Sequence, residues 1–164
     1  MKKIIPFLFL LLAAPLFSQT SIAKGVTVGG IGLGATYREV IRKFGKPLSE
    51  KKRKADECVG GTQMTLSYPV LKFRLWDEPA DPKKFSVGFF EVTSAKWNVS
   101  GLRIGQTSSA IKKLLGTRSS EEINPNTRLR VWYYEMDDEK GPGNTNVSFR
   151  SGKVVSIMSI WDMC

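Results

Sequence analysis

Gly30-Ile31-Gly32-Leu33-Gly34-Ala35-Thr36 is echoed 71 residues later by Gly101-Leu102-Arg103-Ile104-Gly105-Gln106-Thr107, and this echo governs how the rest of the chain is read. The register holds without a gap through Val40 and Ile111, Phe44 and Leu115, and Gly45 and Gly116. Self-similarity at a fixed offset marks a repeated structural unit. Thr36 and Thr107 suit the N-cap position of a helix, and Glu39 completes a capping box in the first copy only. Gly45 and Gly116 suit the left-handed position that ends one. Val40 with Phe44, and Ile111 with Leu114 and Leu115, give each helix one apolar face. Helices of about two turns are not stable alone and must be held by packing.

The packing partner reads as sheet. Thr62 to Tyr68, Leu71 to Trp76 and Phe85 to Thr93 have strand composition after the first helix. Arg128 to Met136, Asn146 to Arg150 and Val154 to Trp161 have it after the second. Turn chemistry separates them at Pro69, at the Asp77 to Lys84 stretch with Pro79 and Pro82, at Gly141-Pro142-Gly143-Asn144 and at Ser151-Gly152. The expected fold class is therefore α+β, with two tandem copies of a short-helix plus antiparallel-sheet unit over residues 24–100 and 101–164. Halves of this size bury little core alone, so two packed units are expected.

The pattern Gly-apolar-x-apolar-Gly-x-Thr, followed by two spaced apolar positions, Gly and then strands, resembles the repeat unit of the beta-lactamase inhibitory protein-like fold. The same unit resembles that of the small outer-membrane assembly lipoproteins of the BamE/SmpA type. The likeness spans about Gly30 to Met163 through both copies. It implies a binding protein rather than an enzyme, one that inhibits a partner enzyme through a concave sheet or serves envelope assembly. The chain departs from the assembly lipoproteins in lacking a lipobox Cys and in carrying two copies. It has no loop matching the inhibitor's contact residues, so no contact residue is carried over.

Lys2 and Lys3 followed by the apolar run Ile4 to Phe17 have the form of a secretory leader, too short for a membrane span. Ser21-Ile22-Ala23 offers the small residues of a cleavage site, so residues 1–23 are read as a signal peptide. The expected product is a bacterial periplasmic or secreted chain of 141 residues with 23 basic against 15 acidic side chains. No later segment is long and apolar enough to span a bilayer. After export, Cys58 and Cys164 are expected to form a disulfide, the rival being free or intermolecularly paired thiols. A loop of that length is worth up to ~4–5 kcal/mol on the chain-entropy account.

Alternation along the strands nominates a surface. It buries Leu71, Phe73 and Leu75 and turns out Lys72, Arg74 and Trp76; it buries Leu129, Val131 and Tyr133 and turns out Arg130, Trp132 and Tyr134. It also turns Arg150 out beside inward-facing Val147 and Phe149. Basic residues interleaved with Trp and Tyr are the types enriched at binding hot spots. The seven outward residues form the candidate partner-binding face, although Trp76 and Trp132 would equally suit a core between the halves. Lys51-Lys52-Arg53-Lys54 offers an alternative anion-binding run, whose plainer reading is a solvated loop after the helix.

The chain has no His among its 164 residues, which removes Ser-His-Asp and Cys-His triads and histidine metal sites. Gly30-x-Gly32-x-x-Ala35 fits a dinucleotide fingerprint only superficially, because no parallel strand follows the helix. Asp137-Asp138-Glu139 lacks calcium-loop spacing, and Asp77-Glu78 and Glu121-Glu122 read as solvated loop carboxylates. Asn98-Val99-Ser100 and Asn146-Val147-Ser148 are glycosylation sequons that matter only in a eukaryotic host. No cofactor, metal or nucleic acid is expected. The leading expectation is an exported protein-binding module that meets an acidic partner through the cationic and aromatic face. The alternative is a binder of anionic envelope polymer or lipid headgroups through the basic surface, and an enzyme using carboxylate, Lys, Ser or Tyr comes last.

Overall fold

Two short helices are fixed at both ends by the residues that flank them. In α1 (Tyr37–Phe44) the Glu39 N–H donates to Thr36 Oγ1 at 3.3 Å while the Thr36 N–H donates to the Glu39 carboxylate at 2.7 Å. In α2 (Ser108–Leu115) the Ala110 N–H donates to Thr107 Oγ1 at 3.2 Å, with no reciprocal acid. Gly45 and Gly116 end the helices at φ 75° and 78°, where a side chain would be strained. Each helix fully buries one residue, Val40 and Ile111 respectively. The structure, a computed structural model, describes residues 25–57, 59–78, 81–138 and 141–162. The leader, its cleavage site after Ala23, and Cys58 and Cys164 with their expected bridge lie outside the described residues.

Eight strands complete the fold: β1 (Ser49–Lys54), β2 (Thr62–Tyr68), β3 (Leu71–Glu78), β4 (Asp81–Val92), β5 (Ser120–Ile123), β6 (Arg130–Asp138), β7 (Gly141–Arg150) and β8 (Lys153–Trp161). They form a single antiparallel sheet in the order β1-β2-β3-β4-β8-β7-β6-β5. This corrects the expected α+β architecture of two packed units, which the resemblance also implied. β4 joins β8 directly, Phe89 opposite Ile160 through Val92 opposite Ile157, so the molecule is mostly one continuous sheet carrying two small helices. A repeated sequence fixes each copy's local structure but not whether copies meet by faces or by edges. Here edge pairing satisfies backbone groups that two separate sheets would leave open.

The same pairing makes one core. Phe73, Phe90, Val92, Val147, Phe149 and Ile157 belong to a single buried cluster with Val40 and Ile111. The segments leading into the helices add Val26, Val28, Ile31, Val99 and Leu102. Gly30 and its neighbours form a tight turn closed by Val28 and Ile31, and the Gly34 N–H donates to the Val87 carbonyl at 2.6 Å. Both helices therefore sit on one face of the sheet. No described helix or strand packs on the other face.

Three sequence expectations change for local physical reasons. First, Trp132 and Tyr134 are 7% and 2% exposed and lie in the core. The run Val131 to Tyr134 is apolar at every position, so alternation reads equally well in either phase. Pairing decides it: Trp132 lies opposite Val147, and its ring stands 4.6 Å from that of Phe149. Second, Lys51 to Lys54 is not a loop but most of β1, and Ser120 to Ile123 forms β5. Both are outermost strands, which need only backbone pairing on one side, and charge there discourages further edge-to-edge association. Third, Pro82 and Pro142 lie within strands rather than turns. β8 pairs with β4 only from Phe89 and with β7 only from Gly143. Among the described residues both prolines thus lie where the strand has a partner on one side at most, a position at which a strand tolerates Pro.

Gly88 is required by close approach. A Cβ at this position would stand 2.6 Å from the Trp76 ring and 3.3 Å from that of Trp161. Gly88→Ala is expected to lower stability by about 1–3 kcal/mol through overpacking. Trp132→Ala is expected to cost about 3–5 kcal/mol as a core truncation. Urea denaturation midpoints at constant m-value check both.

Candidate functional site

On the helix-free face, sheet register lines up side chains from non-adjacent positions in the chain. One row runs Lys51, Thr65, Arg74, Phe89 and Ile160 across β1, β2, β3, β4 and β8. The next runs Arg53, Gln63, Trp76 and Ser86. A third runs Ser49, Ser67, Lys72, Glu91 and Met158. Lys51, Arg53, Lys72 and Arg74 consequently converge on a shallow depression of about 360 Å³ floored by Gln63 and Thr65. Lys52, between Lys51 and Arg53 on β1, also borders it. Among the described residues no carboxylate lines it.

Neighbouring groups hold these cations without neutralising most of them. Arg53 Nε donates to Gln63 Oε1 at 2.8 Å, which orders both side chains although Gln63 is almost fully buried. The Arg74 guanidinium lies over the Phe89 ring, 4.4 Å from its centre, within cation–π range. Lys72 Nζ is 3.9 Å from Glu91 Oε2, a loose pair, and Glu91 also accepts from the Ser156 hydroxyl at 3.1 Å. Exposed pairs of this kind contribute little to stability. A positive field stands over a rigid strand platform, and positive clefts of this type steer anions.

The sequence-nominated residues do not form one surface. Lys72, Arg74 and Trp76 lie together on the helix-free face, next to Lys51 and Arg53 of the run nominated separately for anions. Lys52 and Lys54 alternate to the helix side, where Lys52 Nζ stands 5.3 Å over the Phe85 ring. Trp132 and Tyr134 are core, which removes them from any surface. Arg130 and Arg150 belong to a different depression beside the start of α2. Sequence reading missed Gln63, Phe89 and Glu91 as site residues, because only the register places them beside the cations. Among the described residues no group of three His, Cys, Asp or Glu side chains is gathered as a metal site, and no described helix is long and apolar enough to cross a membrane.

Phenol chemistry on the sheet is shifted upward. Tyr133, across β5 and β6 on the helix-free face, donates to Glu122. Burial first, and then this bond and the nearby charge, push its pKa up to about 12. Tyr37 is raised chiefly by its bond to Glu50, and Tyr68 and Tyr134 chiefly by burial.

No family model matches the chain, and no curated protein matches it. Among solved structures it is similar to an extracellular protein containing an SCP domain from Bacillus anthracis, with a TM-score of 0.51 and 14% identity. The match covers 80% of this chain but only 44% of that one, so this chain spans less than half the length of its structural neighbour. At this identity the likeness is one of fold alone.

The tyrosine shifts predict an alkaline destabilisation. Tyr133 keeps its proton more firmly in the fold than in the unfolded chain, whose value is 10.0. Its contribution is therefore complete below pH 10 and is lost as pH rises through about 12. Absorbance at 295 nm is expected to show tyrosine ionisation lagging the unfolded protein, and Tyr133→Phe is expected to remove the latest-titrating component.

Proposed function

We propose that this chain is an exported, non-catalytic binding module that captures an acidic protein surface through its helix-free sheet face. The observation that carries this reading is the convergence of Lys51, Arg53, Lys72 and Arg74 on one depression whose described lining holds no carboxylate. The rows extend from that depression to partly exposed Trp76, Met158 and Ile160. An apolar strip beside a charged field is the anatomy of a protein interface, in which the strip supplies affinity and the charges supply approach rate and orientation. Export rests on the leader at residues 1–23. The absence of His from the sequence favours binding over catalysis.

A second reading has its own support. β1 presents its cations on an outermost strand that is exposed from Glu50 to Lys54, which suits an anionic envelope polymer or lipid headgroups. Salt separates the two readings, because a diffuse polyanion contact weakens steeply with ionic strength while a packed interface survives.

The test uses the chain from Lys24 to Cys164 as bait against envelope extract of its own source, washed at low and high salt. A single protein retained through high salt, and lost with Lys72→Glu plus Arg74→Glu, is expected. The double reversal should leave the melting temperature within a few degrees of the parent, since both side chains are partly exposed. Retention of lipid or polymer at low salt alone would replace the leading reading by the second. Retention through high salt that is unaffected by the double reversal would overturn the leading reading.

A further inference from the structure

A second depression, of about 420 Å³, opens at the far end of the sheet from the Lys51 site. Three arginines enter it from three chain segments. Arg128 comes from the β5–β6 connection, Arg130 from the first residue of β6, and Arg150 from the last residue of β7. Ser108, the first residue of α2, and Ser151 add hydroxyls, and buried Phe149 forms part of the wall.

The charge here is not internally compensated. Arg130 Nε is 3.4 Å from Glu121 Oε1, but the same carboxylate is bound by Arg118, whose guanidinium lies over the Trp132 ring. Among the described residues Arg128 and Arg150 have no ion-pair partner, and no Asp or Glu lines the depression. Arg128 moreover sits at φ 58°, a left-handed conformation that is strained for a residue with a side chain. The connection holds it there. The Arg128 N–H donates to the Asn124 carbonyl at 2.9 Å, and Asn124 Oδ1 accepts from the N–H groups of Asn126 and Thr127 at 3.0 Å each.

The first half of the chain shows what the same place looks like without this cluster. The residue 71 positions before Ser108 is Tyr37, and the one 71 before Glu121 is Glu50. There the Tyr37 hydroxyl donates to Glu50 at 3.0 Å, and the carboxylate is occupied by a neutral partner. In the second half a serine stands at the helix start and guanidinium groups gather around it.

We propose that Arg128, Arg130, Arg150 and Ser108 form a binding site for a compact tetrahedral oxyanion, phosphate or sulfate, either free or as the end group of a larger ligand. A guanidinium presents a planar fork that bonds two oxygens at once, and three forks from different directions match a group with oxygens on every side. The Ser108 hydroxyl supplies a neutral donor. This site is separate from the lysine-rich face in place and in chemistry, and stands or falls independently of it.

The test titrates the folded Lys24 to Cys164 protein with inorganic phosphate, sulfate and glycerol phosphate, against chloride at matched ionic strength. Arginine Nε–H resonances and calorimetry are the readouts. Saturable one-to-one binding is expected, weakened roughly tenfold or more by Arg128→Gln and by Arg150→Gln and unchanged by Lys51→Gln plus Lys72→Gln. Arg130→Lys, which keeps the charge but loses the fork, is expected to weaken it as well. Tighter binding of glycerol phosphate than of inorganic phosphate would identify the end group of a larger ligand, and equal or weaker binding would identify the free ion. The proposal is overturned by no saturable response at about 10 mM anion, by an equal response to chloride, or by an equal loss in the lysine variants.

Discussion

The pairing of β4 with β8 is the contact on which the rest of the molecule depends. Through it Phe89 to Val92 lies against Ile157 to Ile160, and the strands that follow each helix become one sheet. Two sheets of four strands would each expose an inner edge, and each would need its own core from a chain segment too short to bury much apolar area. Joined at this seam, they share a core that runs from Val40 under α1 to Ile111 under α2. The helices are short enough to require such support and are placed by it.

Because both helices and their lead-in segments pack on one side, the sheet is left with a second face on which no described helix or strand packs. Register then becomes the principle that composes a surface. Residues far apart in sequence, such as Lys51 and Arg74 or Arg53 and Trp76, stand in common rows because β1, β2 and β3 pair in order. Strands hold these positions more rigidly than loops would, and Gln63 and Phe89 fix the orientation of Arg53 and Arg74. The result is a cationic platform bordered by apolar side chains.

The distribution of charge gives the two ends of the sheet different characters. The β1 to β3 end carries lysines and arginines on an open plane, where a large partner can lie flat. At the other end the arginines converge from a connection, a strand start and a hairpin tip toward the first turn of α2, around a depression sized for a small group. Strands β5 and β6 also bring Glu122 against Tyr133 on the helix-free face, so that face changes from cationic to acidic and hydroxyl-bearing across the sheet. The face therefore carries an electrostatic gradient of the kind that orients a bound partner.

The sequence by itself determined the features that depend on neighbours along the chain. Helix limits follow from Thr36, Glu39 and Gly45, and from Thr107 and Gly116, because capping and chain reversal are satisfied within a few residues. The inward face of β3 was legible because Leu71, Phe73 and Leu75 alternate cleanly with polar or amphipathic residues. The tertiary structure alone decided the phase of β6, where an unbroken apolar run offers no alternation and only pairing with β7 chooses the side for Trp132. It alone revealed β1 and β5, whose polar sequences carry no burial signal and become strands because a neighbour supplies hydrogen bonds. The joining of the halves by their edges, and with it the assembly of Lys51, Arg53, Lys72 and Arg74 into one site, was likewise beyond local reading. Sheet pairing is a long-range contact whose energy is set by which backbone edges meet, and no short stretch of sequence records that choice.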